Sequence, residues 1–267
     1  MHLKDVKILE NKKLTKGIYK MVFKSPEIAS QACEGQFLEI KVTQGISNLL
    51  RKPISINNIK GDKVSIIYKV IGKGTQKLSQ FKKGEKINIL GPLGNGFPKL
   101  DKNKLKNKKT ELILVAGGIG YAPFSYIMDK YKNWKLFYGS KTKEELLLDD
   151  YRERGTSENL IITTDDGSYG KKGYITEELK LYLEKNKGQK NMIIFVCGPE
   201  IMMKKISMIT CKYKVSAYLS LETYMGCGIG ACVGCVQKIK NSEKEDGWEH
   251  KKVCQDGPVF KASEVIW

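Results

Sequence analysis

Met225-Gly226-Cys227-Gly228-Ile229-Gly230-Ala231-Cys232-Val233-Gly234-Cys235 packs three cysteines and four glycines into eleven residues, and a fourth cysteine, Cys254, follows after a polar loop. The spacing is Cys227-x4-Cys232-x2-Cys235, then eighteen residues, then Cys254. Two irons bridged by sulfide need four thiolates in one small volume, three from a tight loop and one from a later segment, and this is the spacing of a [2Fe-2S] loop. Glycines at 226, 228, 230 and 234 suit the same reading, because they let the backbone curl closely and aim N–H groups at sulfur. Structural zinc draws on two separated CxxC-like knuckles, whereas the first pair here is four residues apart. Disulfides belong to oxidising compartments, and seven cysteines is an odd number. The pattern therefore favours iron–sulfur ligation by Cys227, Cys232, Cys235 and Cys254 over zinc or disulfides.

The totals bound the rest. At 267 residues the chain has room for two compact domains and a small third one. No run of eighteen apolar residues exists, so no membrane span is expected, and the first residues form no apolar signal region. Together with the cysteine usage this points to the cytoplasm. A formal charge of +18 invites a nucleic-acid reading. Only three of the 47 basic residues are Arg, however, and the lysines are scattered through every segment. Arg is the usual reader of phosphate and base edges, so the excess is read as solubility and attraction of anionic ligands or an acidic partner, with no nucleic acid.

Residues 1–100 look all-β. Short alternating runs at Ile18–Phe23, Phe37–Val42, Val64–Val70 and Lys86–Leu90 are separated by turn chemistry, with one helical turn expected near Thr75–Phe81. Such strands suggest a small antiparallel β-barrel. Arg51-Lys52-Pro53-Ile54-Ser55-Ile56 sets two cations before a stiff strand, which could hold a flat ring while the cations meet phosphate; by itself it is equally an edge strand. Ile67-Tyr68-Lys69, running on to Gly74-Thr75, reads as a strand ending in glycines at a helix start, where free N–H groups favour an anion. A lysine-rich stretch, 99–109, reads as a linker.

Residues 110–221 change character. Strands expected at 111–116, 134–138, 160–164, 192–196 and 215–219 alternate with helices near 142–153, 175–187 and 199–211, which means a parallel α/β sheet. Ligands of such sheets sit at the strands' carboxyl ends. Those ends carry Gly117, Gly118 and Gly120, then Gly139-Ser140, Asp165-Asp166, and Cys197-Gly198-Pro199. Together they mark a nucleotide site, although the glycines do not form GxGxxG. Asp165 either bonds ribose or merely turns the chain, and Cys197 either lines a nicotinamide or is a small buried residue. Residues 222–267 hold the cysteine loop, a hairpin-like excursion at 238–252, and Cys254.

In this order the parts resemble the ferredoxin–NADP reductase superfamily, and within it the electron-transfer subunits of type B dihydroorotate dehydrogenase. The carrying stretches are residues 51–56, 115–123, 197–202, 225–235 and 253–260. The resemblance implies a flavin-binding barrel over 1–100, an NAD-binding α/β domain over 101–221 and a small [2Fe-2S] domain over 222–267. It implies FAD held by Arg51, Lys52, Pro53, Ile54, Ser55, Ile67, Tyr68, Lys69, Gly74 and Thr75, with Ser55 near the reactive edge. NAD(H) would lie on Gly117, Gly118, Gly120, Asp165, Cys197, Gly198 and Pro199. The implied partner is an FMN-containing catalytic subunit that oxidises dihydroorotate, in a heterotetramer of two of each, serving pyrimidine (UMP) biosynthesis. No acid–base residue is required of this chain. Two positions depart from the superfamily pattern. Lys52 and Lys69 stand where Arg is common, giving point charges in place of bidentate forks, and Arg51 is the candidate to take over the first contact. Tyr224, Met225, Ile229 and Val233 would shield the cluster or meet the partner. The alternative within the superfamily is an NAD(P)H:ferredoxin-type or sulfide-linked reductase subunit. Outside it stands a zinc-dependent regulatory or nucleic-acid-binding protein.

Overall fold

The structure is a computed structural model and describes residues 1–43, 49–106, 110–131, 133–152, 159–188 and 191–267. Six antiparallel strands, β1 (His2–Thr15), β2 (Ile18–Lys24), β3 (Phe37–Lys41), β4 (Lys52–Lys60), β5 (Lys63–Lys69) and β6 (Lys86–Leu93), close into a barrel in the order β1-β2-β5-β4-β3-β6. Alternation directs Met21 and Phe23 of β2, Leu38 and Ile40 of β3, and Ile54 and Ile56 of β4 into its core. The sequence gives little sign of β1, because lysines and acids flank its inward-facing Val6 and Ile8. Ser25-Pro26 reads as a turn but starts a short helix, α1 (Pro26–Gln31), with Pro in the first turn, where its missing N–H costs nothing. A second helix, α2 (Lys73–Gln80), fills the connection from β5 to β6.

The barrel is split on one side. β4 pairs with β5 only from Ile56↔Ile66 onward. Lys52–Ile54 and Ser55 pair with β3, and Ile67–Lys69 pair with β2, but these two stretches do not pair with each other. Two backbone edges thus face one another across an opening whose lower end meets the start of α2.

The second unit is a seven-stranded sheet. Its strands are β7 (Thr110–Gly117), β8 (Trp134–Ser140), β9 (Leu160–Thr164), β10 (Lys171–Lys172), β11 (Asn191–Cys197), β12 (Ser216–Ser220) and β15 (Val259–Lys261), in the order β10-β9-β8-β7-β11-β12-β15. The pairs are parallel except β12 with β15. β7 is apolar and buried from Leu112 onward because both its faces are covered there. Ile113 and Val115 join the core under α6 (Ile175–Lys185) and α7 (Glu200–Tyr213), while Leu112, Leu114 and Ala116 face α4 (Phe124–Lys130) and the barrel. The stretch 99–109 is not a plain linker: it contains α3 (Lys102–Lys106), whose Leu105 is buried in that second core, and 107–109 lie outside the described residues. The helix expected over 142–153 is a 3₁₀ turn and a short α5 (Leu148–Arg152), with 153 outside the described residues.

The last segment belongs to both units. Its hairpin, β13 (Val236–Lys240) with β14 (Trp248–Lys252), matches the expected excursion, and β15 then extends the sheet. Asn95, just past β6, bridges to Pro258, donates its N–H to the Gly257 carbonyl at 2.5 Å, and donates its side-chain amide to the carbonyls of Gln255 and Asp256. Gly94 has φ +72°, and a side chain there would meet Pro258 Cδ at 2.6 Å. The barrel also grips the sheet through Lys20–Asp150 (3.0 Å) and through Asn57, which donates to the Ala122 carbonyl and Ser125 Oγ. No described helix is long and apolar enough to cross a membrane.

Candidate functional site

The four predicted metal ligands come together as two pairs. Cys235 Sγ and Cys254 Sγ lie 3.3 Å apart, and both residues are buried. Cys227 accepts the Cys232 N–H at 3.3 Å, with the Cys232 thiol also in reach. All four are free thiols. Two pairs of sulfurs would give two thiolates to each of two irons, the ligand set of a [2Fe-2S] cluster. The loop is electrostatically prepared for this. N–H groups, that of Cys232 first and then those of Ile229 and Ala231, pull the Cys227 thiol down to about 6, while burial and the neighbouring Cys235 push Cys254 up to about 12. The buried pair is a poor place for bare thiolates; coordination to a cation deprotonates them. Gly230 N–H points at Cys254 Sγ (3.2 Å), and Lys252 Nζ clamps the Gly230 carbonyl at 2.8 Å. These residues fit a [2Fe-2S] cluster.

The opening between β4 and β5 lies on the barrel. At its foot the Lys52 side chain runs over Gly74, so closely that a Cβ at 74 would clash with Lys52 Cε. Thr75 Oγ1 accepts the N–H groups of Ile71 and Gly72 and ties down the start of α2. Arg51 does not share this place. Its guanidinium donates to Asn88 Oδ1 (2.5 Å) and to the Glu39 carbonyl (3.3 Å), on the β3–β6 side, whereas Lys52 lies at Gly74. Pro53 and Ser55 are half-buried on the outer face, while Ile54 enters the core. Across the opening, Tyr68 is turned into the barrel with its hydroxyl on Asn11 (2.9 Å), and Ile67 packs between barrel and sheet. Their side chains are therefore occupied, and what they offer the slot is backbone. Lys69 pairs with Glu145 of the sheet unit at 2.7 Å.

The nucleotide residues gather at the β7/β11 boundary. Chain order runs β7-β8-β9 to one side and β11-β12 to the other, so this is the point where strand order reverses and ligands of open sheets bind. Gly118–Tyr121 make a 3₁₀ turn, and the α-helix starts only at Phe124. Gly120 is pressed on the Cys197 carbonyl, and a side chain at Gly117 would meet Pro199 Cδ at 2.6 Å. Cys197 is buried, and burial first, then the Glu222 charge, raises its thiol pKa. Asp165 is exposed at the end of β9, with its N–H on the Ser140 carbonyl.

Two acidic residues escaped the sequence reading. Glu222 follows β12 close enough to Cys197 for its charge to raise that thiol, and crowding by surrounding atoms raises its own carboxyl pKa although the residue is solvent-exposed. Glu39 lies buried under the cysteine loop; burial pushes it up to about 7, opposed by Arg51. The available signal for Glu39 was one charge inside the apolar run at 37–40.

Comparison with known proteins agrees with this geometry. The family described as the iron-sulfur cluster binding domain of dihydroorotate dehydrogenase B matches residues 222–266, and the oxidoreductase NAD-binding domain matches 114–208. The chain is 38% identical to the dihydroorotate dehydrogenase B (NAD(+)) electron transfer subunit of Clostridium acetobutylicum, over 97% of this chain and 96% of that one. It is 36% identical to its counterpart in Desulforamulus reducens, over 98% of both. Among solved structures, a chain of the NADH-dependent reduced ferredoxin-NADP oxidoreductase superposes with TM-score 0.77 at 27% identity, covering 98% of this chain and 90% of that one. A ferredoxin NADP+ reductase of Neisseria gonorrhoeae with bound FAD and NADP shares the fold, with TM-score 0.60 at 18% identity over 79% of this chain and 91% of that one. A thiol quartet beside a split barrel, a sheet with its glycines at the reversal point, and full-length relatives of one kind lead to one assignment: the chain belongs to the family of dihydroorotate dehydrogenase B electron transfer subunits.

Proposed function

We propose that this chain carries electrons from dihydroorotate oxidation, on the FMN of a partner catalytic subunit, to NAD+, in a cytoplasmic heterotetramer of two of each subunit. The observation that carries the reading is the two thiol pairs of a loop whose Gly228 packs on Glu39 of β3, the strand that pairs with Pro53 at the β4–β5 opening. Cys227, Cys232, Cys235 and Cys254 hold the [2Fe-2S] cluster. Lys52, Gly74 and Thr75 receive the FAD pyrophosphate, Pro53–Ser55 and the free backbone of Ile67–Lys69 receive the ring, and NAD(H) occupies the crevice at Gly117–Gly120 and Cys197–Pro199. When bound, the cluster supplies single-electron transfer, and FAD supplies the change from single electrons to a hydride. The protein's part is placement and exclusion of water. Oxidation of dihydroorotate to orotate releases two electrons and two protons, and NAD+ takes up two electrons and one proton. Orotate is a pyrimidine precursor, so the step serves UMP synthesis. The exposed Tyr224, Ile229 and Val233 at the loop's rim form the face offered to the partner.

The likeness to the NADH-dependent reduced ferredoxin-NADP oxidoreductase chain favours a second reading, a reductase subunit with another partner. Anaerobic mixing of this chain with and without the catalytic subunit, dihydroorotate and NAD+ separates them. NADH that forms only with both subunits supports the proposal. A loaded pair that forms none rejects it.

A further inference from the structure

Glu39 interrupts an apolar strand at a place where Arg51 and Lys52 act on it only through their charge and no described residue hydrogen-bonds its carboxyl. Along β3 the side chains alternate, so Leu38 and Ile40 enter the barrel while Phe37 and Glu39 leave it. The outer face is covered by the cysteine loop, and Glu39 is only 1% exposed. A side chain at Gly228 would stand 2.5 Å from its Cγ and Oε1. Neither carboxyl oxygen has a hydrogen-bond partner among the described residues. The Arg51 guanidinium, the nearest candidate, is spent on Asn88 and the Glu39 carbonyl. On its other flank Glu39 pairs with Pro53, and its strand neighbour Phe37 pairs with Ser55. The carboxyl therefore sits between the wall assigned to the flavin and the loop assigned to the cluster, in contact with the loop.

We infer that Glu39 in its ionised form sets the electron level of the cysteine site against that of the flavin slot, its charge opposing an added electron at the cluster more than at FAD. The inference rests on the cofactor assignment above. A charge acts most on what is nearest, and little water intervenes here to screen it. Cluster potentials follow the charge and hydrogen bonds around their sulfurs. The consequence is local: the ionised Glu39 makes the step from the cluster to FAD more favourable and leaves the overall equilibrium between donor and NAD+ unchanged.

The test is an EPR-monitored redox titration of the intact complex in mildly alkaline buffer, with wild type, Glu39→Gln and Glu39→Asp. Glu39→Gln is expected to raise the cluster midpoint, to move the flavin midpoint less, and to leave a larger share of the cluster reduced at a fixed NADH:NAD+ ratio. Glu39→Asp keeps the charge but withdraws it from Gly228, and its cluster midpoint should fall between the other two. An unchanged cluster midpoint in Glu39→Gln, with flavin and cluster absorption intact, overturns the inference and leaves the cofactor assignment standing. Should Glu39→Gln not assemble, Glu39→Asp decides: a midpoint above wild type supports the inference, and an identical one overturns it. A wild-type complex without flavin or cluster bands removes the assignment beneath it.

Discussion

Lys52 and Cys254 show how single residues divide the work. Lys52 lies over Gly74 with its charge at the start of α2. Replacing it with Ala should weaken FAD binding about tenfold, or about 1.4 kcal/mol, the scale of one charge-assisted contact, as measured by flavin fluorescence on reconstitution. Cys254→Ala should abolish the cluster absorption and EPR signal while FAD is retained, because Cys254 is one half of a buried thiol pair and is not among the residues that line the β4–β5 opening. Residues of this kind were legible, since the four cysteines carry their own spacing. Glu39 was not, because its importance depends on a loop that reaches it only after the chain has folded. The orientation of Tyr68 was equally hidden: a strand alternates, but its sequence does not say which face looks inward until the neighbouring strands are known.

At the scale of elements, close backbone approach is the recurring device. Gly120 leaves no room for a Cβ against Cys197, so Gly120→Ala should cost about 1–3 kcal/mol by overpacking and lower the melting temperature by several degrees. NADH affinity should fall with it while the cluster spectrum stays intact, which separates damage at the crevice from general unfolding. Asn95 joins the turn after β6 to the segment bearing Cys254 by two bonds from its amide. Asn95→Ala should destabilise by about 1–2 kcal/mol and quicken bleaching of the cluster in air, while the flavin band decays no faster than in wild type. Most strands were readable from alternation. β1 was not, because its lysines obscure the pattern, and the split between β4 and β5 was not, because it depends on where their pairing register ends.

Across the whole molecule, the barrel and the sheet are tied by polar groups that lie deep. Asp150 takes Lys20 at 3.0 Å, Ser125 Oγ at 2.8 Å and the Tyr121 hydroxyl at 3.1 Å, with its own side chain 6% exposed. Asp150→Ala would leave Lys20 uncompensated at the junction and should cost about 3 kcal/mol, read as a lower midpoint in urea. The order of the three parts along the chain was open to sequence reading, but their interlocking was not. Cys254 rides on a segment fastened to the turn after β6, and β15 beyond it is woven into the sheet. An engineer wishing to graft this iron-bearing tail onto another flavoprotein would therefore have to transplant Gly94 and Asn95 as well. Cutting the chain ahead of residue 222 would strip Phe37 and Leu93 of their cover and leave a sticky stump where a clean flavodomain was wanted.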